Sequence, residues 1–136
     1  MDLENLTIVR VRDMLDAKKV TAIELAEHYL AQIKAKNGEL NAYLEIFDDV
    51  EEQAKKADEI IKEGKGTALT GVPLAIKDNI LIKGHTASAG SKILGNYVAS
   101  YDATVIVKLK EQGAVFLGRT NMDELAMGSS TENSAF

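Results

Sequence analysis

A lysine closes an apolar, strand-like run in GVPLAIKDNILI, residues 71–82. Gly71 and Pro73 punctuate its start, and a proline in a strand is confined to the first position or to an edge. Leu74, Ala75 and Ile76 read as a short buried strand, with Lys77 at its end. Alternation puts Leu74 and Ile76 on one face, Ala75 and Lys77 on the other. An ammonium there has three outcomes. It pairs with a carboxylate such as Asp78, it reaches water, or it loses its proton because burial disfavours the charge. The third outcome makes a base that works near neutral pH. Spacing alone favours the first two, since perturbed lysines are the minority.

Other chemistry-bearing residues are sparse. The chain has no cysteine, so it has neither a disulfide framework nor a thiolate metal site. His28 and His85 stand far apart and make no metal-ligand pair. His28 lies four residues after Glu24, the spacing of a helix-surface pair. Gly64-Lys65-Gly66-Thr67 carries letters of a phosphate loop at the wrong spacing. The small-residue run Gly84-His85-Thr86-Ala87-Ser88-Ala89-Gly90-Ser91 lets backbone or a ligand approach closely. On its residues alone a flexible surface loop is slightly favoured.

The elements that must position these residues alternate between helix and strand. Residues 7–18 read as a helix capped by Thr7, with Ile8, Val11 and Leu15 on one face and Arg10, Arg12 and Asp13 outward. Val20 to Asn37 is a second helix. Thr21 and Glu24 have capping-box spacing, Ile23, Ala26, Leu30 and Ile33 form the stripe, and Asn37-Gly38 is its stop. Asn41 to Phe47 reads as a strand. Asp48 and Glu51 repeat the capping-box spacing before a helix to about Lys62. That helix has a thin stripe of Val50, Ala54, Ala57 and Ile60 or Ile61, and carries the pairs Glu51/Lys55 and Glu52/Lys56. A second short strand or bend is expected in Asp78-Asn79-Ile80-Leu81-Ile82. Asp102 is placed to cap a helix from about Ala103 to Gln112, with Val105, Ile106 and Leu109 inward. Ala114 to Leu117 is a compact apolar strand, which Gly118-Arg119-Thr120-Asn121 leaves. Such an exit is where ligand sites tend to lie in parallel sheets. Residues 122–127 read as one helical turn.

The 136 residues fit one domain or a piece of a larger one. With 46% hydrophobic and 27% charged residues the composition is that of an ordinary globular protein. A net charge of −5 argues against a direct nucleic-acid platform, which normally carries a basic patch. No apolar run approaches a membrane span, and no signal peptide is indicated, so the cytosol is the default compartment. The last residues, GSSTENSAF, are small and polar, and the end reads as a cut.

Three stretches together carry a resemblance. GVPLAIKDNI at 71–80, the small-residue run continuing through SKIL to 94, and DATVIVKLKEQGAVFLGRTNMDELAMGSSTENSAF at 102–136 resemble the amidase signature family. The last stretch is especially similar to the family's branch that forms the A subunit of glutamyl- and aspartyl-tRNA amidotransferases. The resemblance covers essentially the whole chain and implies an α/β fold, the N-terminal part of a large mixed β-sheet flanked by helices. Residues 1–136 would form one segment of a single amidase domain, a helical pair over about 7–37 and an α/β portion over 41–136. The resemblance also implies that a serine nucleophile is activated through a second, cis-peptide serine by a neutral lysine, and Lys77 matches that lysine. Met127, Gly128 and Ser129 match segments that line the family's substrate pocket. The Gly/Ser-rich signature bearing both serines matches nothing here, and Ser88, Ser91, Ser129, Ser130 and Ser134 are not its stand-ins.

The segment alone is therefore expected to be inactive, and to be marginally stable or to associate through uncovered strand edges. The implied substrate is glutamine, the implied partners are amidotransferase subunits B and C with misacylated tRNA, and the implied compartment is cytoplasmic, or organellar in a eukaryote. No cofactor is expected on this segment; ATP and Mg would serve the whole complex. A stand-alone amide hydrolase of the same family and a non-catalytic binding module are the alternatives.

Overall fold

A computed structural model describes residues 6–136. The elements run α1 (Ile8–Asp16), α2 (Ala22–Leu40), β1 (Tyr43–Ile46), α3 (Val50–Lys62), β2 (Pro73–Lys77), α4 (Thr104–Glu111) and β3 (Val115–Thr120), with 3-10 turns at Lys92–Leu94 and Glu124–Ala126. The three strands form one mixed sheet in the order β1-β3-β2. The central β3 pairs antiparallel with β1 and parallel with β2. The fold is thus α/β, a mixed sheet flanked by helices, as expected.

The helical layer follows the apolar periodicity. Thr7 caps α1 by accepting from the Arg10 N–H at 3.2 Å. Thr21 and Glu24 close the expected capping box at the start of α2. Asp58 of α3 adds a cap from outside, accepting from the backbone N–H groups of Ala22 and Ile23 at 2.7 and 3.2 Å. A carboxylate there also answers the positive end of the α2 dipole. Leu15, Leu25, Val50, Ala54 and Ala57 are buried in the core that α1–α3 share with Ile76, Ile106 and Val115–Leu117.

Several expectations need correction. Arg12 does not point outward. It is buried, donates to the Thr70 carbonyl oxygen at 2.5 Å and pairs with Asp16, so its stem packs inside while its head finds acceptors. Asn37-Gly38 does not stop α2, which runs on to Leu40 and ends at Asn41 in the left-handed region, φ 49°. Asn37 instead serves as a strand partner for Tyr43, accepting its N–H at 2.7 Å and donating to its carbonyl at 2.9 Å. Asp48 and Glu51 form no capping box, since α3 begins after Asp49 without a side-chain cap. Asp102 does not cap α4. It accepts from the Lys83 N–H and the Lys110 ammonium at 2.8 and 2.7 Å and fastens a loop. Ile8 and Val105 are half exposed rather than inward. Of the strand or bend expected after Lys77 the bend forms, with a turn at Asp78 and Asn79 and a bend at Ile80.

β3 extends past Leu117 to Thr120, so Gly118, Arg119 and Thr120, expected to leave it, are paired on both sides, and only Asn121 lies beyond. Gly118 permits this. A Cβ at that position would collide with the Glu45 carbonyl and reach 3.1 Å from Ile46 Cα, so β1 approaches β3 closely only over glycine. Both partner strands shift register opposite this part of β3.

Candidate functional site

Lys77 ends β2 opposite Thr120 of β3, at the C-terminal edge of the parallel pair. Ile76 is buried and Lys77 exposed, in keeping with the alternation read from the sequence. Lys77 is not enclosed by the described residues, and among them it forms no ion pair. Asp78 is engaged elsewhere. That carboxylate is wholly buried and pairs with Arg119 at 2.5 Å. It also accepts from the Ser88 hydroxyl and from the backbone N–H groups of Ser88 and Gly90 at 3.2 and 2.9 Å.

The small-residue run is therefore no free surface loop. Ser88 and Ser91 are fully buried, and Gly90 packs so closely on Met122 that a Cβ there would lie 2.6 Å from the Met122 carbonyl oxygen. Ser91 donates to Glu124 at 2.6 Å. Backbone bonds from Leu125 to Ala89 (2.8 Å) and from Ala135 to Gly90 (2.9 Å) seat the C-terminal loop on this run. Arg119 lies between two acids. Burial alone would lower its pKa, but bonds to Glu45 and Asp78 outweigh that and raise it. The sequence signal for this cluster is the Asp following the lysine together with glycines and serines ten to thirteen residues on.

The C-terminal loop forms the far wall of a cavity of about 340 Å³. Lys77, Thr120, Asp123, Gly128, Ser129 and Thr131 line it. Lys77, Gly128 and Ser129 are thus brought together, whereas Met127 lies outside the lining with 72% of its surface exposed. Asp123 holds the loop, accepting from the Thr131 N–H at 2.9 Å and the Asn133 N–H at 3.1 Å. The Thr131 N–H is the main reason its carboxyl titrates below the ordinary carboxylate range. Desolvation opposes this, and the N–H groups of Asn133 and Ser130 and the charge of Lys77 reinforce it. Asn121 anchors the loop base, accepting from the Met122 N–H at 2.9 Å and the Ser134 hydroxyl at 2.5 Å.

The histidines lie elsewhere. His28 does not pair with Glu24 and meets Tyr29 edge-on, with centroids 5.9 Å apart. His85 packs on Phe47 with centroids 4.0 Å apart and ring planes tilted by 43°, its Nδ1 3.7 Å from Glu45. Among the described residues no three acids or histidines are grouped to hold a metal ion, and no helix is long and apolar enough to cross a membrane.

A strand-end lysine facing a cavity walled by a Gly-Ser loop is the arrangement that the three family-like stretches meet to build. The family model described as Amidase matches residues 24–136. This chain belongs to the amidase family. All of it aligns with the A subunit of glutamyl-tRNA(Gln) amidotransferase from Thermoanaerobacter pseudethanolicus, at 48% identity, and from Desulfatibacillum aliphaticivorans, at 49%. It spans 28% of each of those relatives. Among solved amidases, the peptide amidase of Stenotrophomonas maltophilia superposes with a TM-score of 0.85 at 29% identity, over 90% of this chain and 26% of that one. An amidase-family protein of Bacillus anthracis superposes with a TM-score of 0.83 at 34% identity, over 90% and 25%.

Proposed function

We propose that this segment carries the general base of the glutaminase component in a tRNA-dependent amidotransferase. The observation that carries the reading is the alignment of the entire chain with the A subunit of such an amidotransferase at 48% identity, far above its 29% identity to the peptide amidase. The placement of Lys77 beside a cavity lined by Gly128 and Ser129 supports it. In this reading neutral Lys77 takes a proton relayed from a serine hydroxyl that further chain supplies. The serine oxygen attacks the side-chain amide carbon of glutamine, the same proton is passed on to the amide nitrogen, the C–N bond breaks, and ammonia leaves as an acyl-enzyme forms. Water then releases glutamate. Backbone N–H groups near the nucleophile stabilise the oxyanion.

A neutral lysine needs desolvation, and Lys77 is exposed among the described residues. Cover from substrate and from further chain completes the site, so residues 1–136 alone are inactive. Subunits B and C complete the assembly. The released ammonia amidates Glu-tRNA(Gln), or Asp-tRNA(Asn), after activation that uses ATP and Mg in the complex.

The test uses the full-length chain in complex with its partners. Lys77→Ala is expected to lower glutamine-dependent ammonia release by about 10²–10⁴-fold, the usual contribution of a positioned base. A wild-type rate in that variant overturns the reading. Hydrolysis by the full-length chain without partners, at the rate of the complex and on unrelated amides, would favour a stand-alone amidase instead.

A further inference from the structure

We infer that Asp123 is a positioning residue for the amide substrate, acting by clamping the loop 128–133 against the Lys77 cavity; this rests on the function proposed above. Asp123 is a buried carboxylate at the cavity wall, with 7% of its surface exposed. Its two oxygens are divided between two backbone donors, Oδ2 to Thr131 and Oδ1 to Asn133. The loop between Asp123 and those donors contains Gly128 and Ser129, both of which face the cavity. Gly128 touches the clamp directly, since a Cβ there would run into the Asp123 carboxylate. This side chain thus helps set how far the Gly-Ser wall stands from Lys77. The ends of the loop are fixed separately, by the Glu124 N–H on the Asn133 carbonyl at 3.1 Å and the Ala135 N–H on the Gly90 carbonyl at 2.9 Å, and Asp123 holds the stretch between them. Leu125, Ala126 and Thr131 sit in the left-handed region at φ 54°, 62° and 63°, a conformation that needs outside support in non-glycine residues. A ligand seated between Lys77 and this wall feels the clamp as binding geometry and not as proton transfer.

The expected signature is a split between KM and kcat in the full-length, partner-assembled enzyme. Asp123→Asn keeps one acceptor and turns an amide NH2 group toward the other donor. Loss of one charge-assisted bond corresponds to about tenfold or more. KM for glutamine is expected to rise by that factor while kcat stays near wild type, the pattern of lost ground-state positioning. Gly128→Ala acts on the same contact from the loop side, and the double variant is expected to be no worse than the poorer single one, because the two share one clamp. An unchanged KM, a fall in kcat at constant KM, or additive single effects would overturn the inference.

If Asp123→Asn does not fold, as judged by circular dichroism, Gly128→Ala alone carries the same expectation and the same refutation. Amide hydrogen exchange at Thr131 and Asn133 separates this inference from the function on which it rests. Faster exchange at those two amides in Asp123→Asn supports the clamp, whereas unchanged exchange refutes it. Wild-type turnover in Lys77→Ala, by contrast, refutes the function alone.

Discussion

In α1–α3 the wholly buried side chains are Leu15, Leu25, Ala54 and their apolar neighbours; around Lys77 they include the polar Asp78, Ser88 and Ser91 beside Met122. The first region is held by the area its side chains remove from water, a non-directional attraction that tolerates modest repacking. The second is held by carboxylates that gather backbone N–H groups. Asp78 collects the turn at 88–90 together with Arg119, and Asp123 collects the loop at 131–133. Directional bonds in a region of small residues place backbone to within a few tenths of an ångström, which a reactive site requires. Apolar packing keeps the sheet folded, while the two aspartates aim what the sheet carries.

The sharpest way to break this contrast is Asp78→Ala. It leaves the Arg119 guanidinium short of one of its two acids and orphans the N–H groups of Ser88 and Gly90. A loss of about 3–5 kcal/mol is expected, as for a buried pair stripped of one partner. Urea unfolding of the full-length chain measures it, and a loss below about 1 kcal/mol, a surface-pair value, would show that the loops hold without the carboxylate. Leu25→Ala is the counterpart in the helical layer. It opens a cavity at a fully buried position, with an expected cost of about 2–4 kcal/mol. The two should differ in kind as well. Under the function proposed above, Asp78→Ala is expected to abolish glutamine turnover even where the protein remains folded, and Leu25→Ala to leave kcat of the folded fraction near wild type.

The same contrast explains what can be read from the sequence. Helix periodicity locates α1–α3 because apolar spacing is a local property of the chain. Lys77 at a strand end follows from Gly71, Pro73 and alternation. The burial of Arg12 escapes such a reading because its acceptor, the Thr70 carbonyl, lies 58 residues away. Asp102 and Asp48 resemble caps because Asp satisfies a loop as readily as a helix start, and spacing does not distinguish the two. The burial of Ser88 and Ser91 is illegible for the same reason. Small polar residues signal a loop, and only the carboxylate that collects them turns it into an interior. Lys77, Gly128 and Ser129 converge through β3, which no local pattern announces.

A smaller effect separates real from apparent caps. Thr21→Ala is expected to cost about 1 kcal/mol, since it removes the acceptor of the Glu24 N–H. Asp49→Ala should cost less in comparison, because the Asp49 side chain makes no capping bond to α3 and among the described residues accepts a hydrogen bond only from the Gln53 side chain. Equal losses in chemical denaturation would mean that Asp58, which reaches the α2 N-terminus from α3, already supplies the cap without Thr21.

The smallest effect lies in acid. Asp102 and Asp123 both titrate below their ordinary value of 3.8. For Asp102, burial works against this and the bonds from Lys110 and the Lys83 N–H prevail; for Asp123, the Thr131 N–H leads. A carboxyl whose folded pKa is depressed binds its proton more readily in the unfolded chain. Its contribution is complete above 3.8 and drains away as pH falls through the lower folded value. Glu51 and Glu52 are depressed as well, by Lys55 and Lys56, but on a fully exposed helix face. Salt distinguishes the two cases. At about 1 M salt the screening length falls to ~3 Å, which weakens exposed pairs far more than short bonds to backbone N–H groups. Below pH 4.5, the ordinary glutamate value, replacing Glu51 and Glu52 by Gln is therefore expected to flatten the stability-versus-pH slope at low salt only. Asp123→Asn is expected to flatten it at both ionic strengths, because its leading donors are backbone N–H groups, and a salt-sensitive Asp123 effect would place that carboxylate with the surface pairs of α3 instead of with the loop-fastening acids around Lys77.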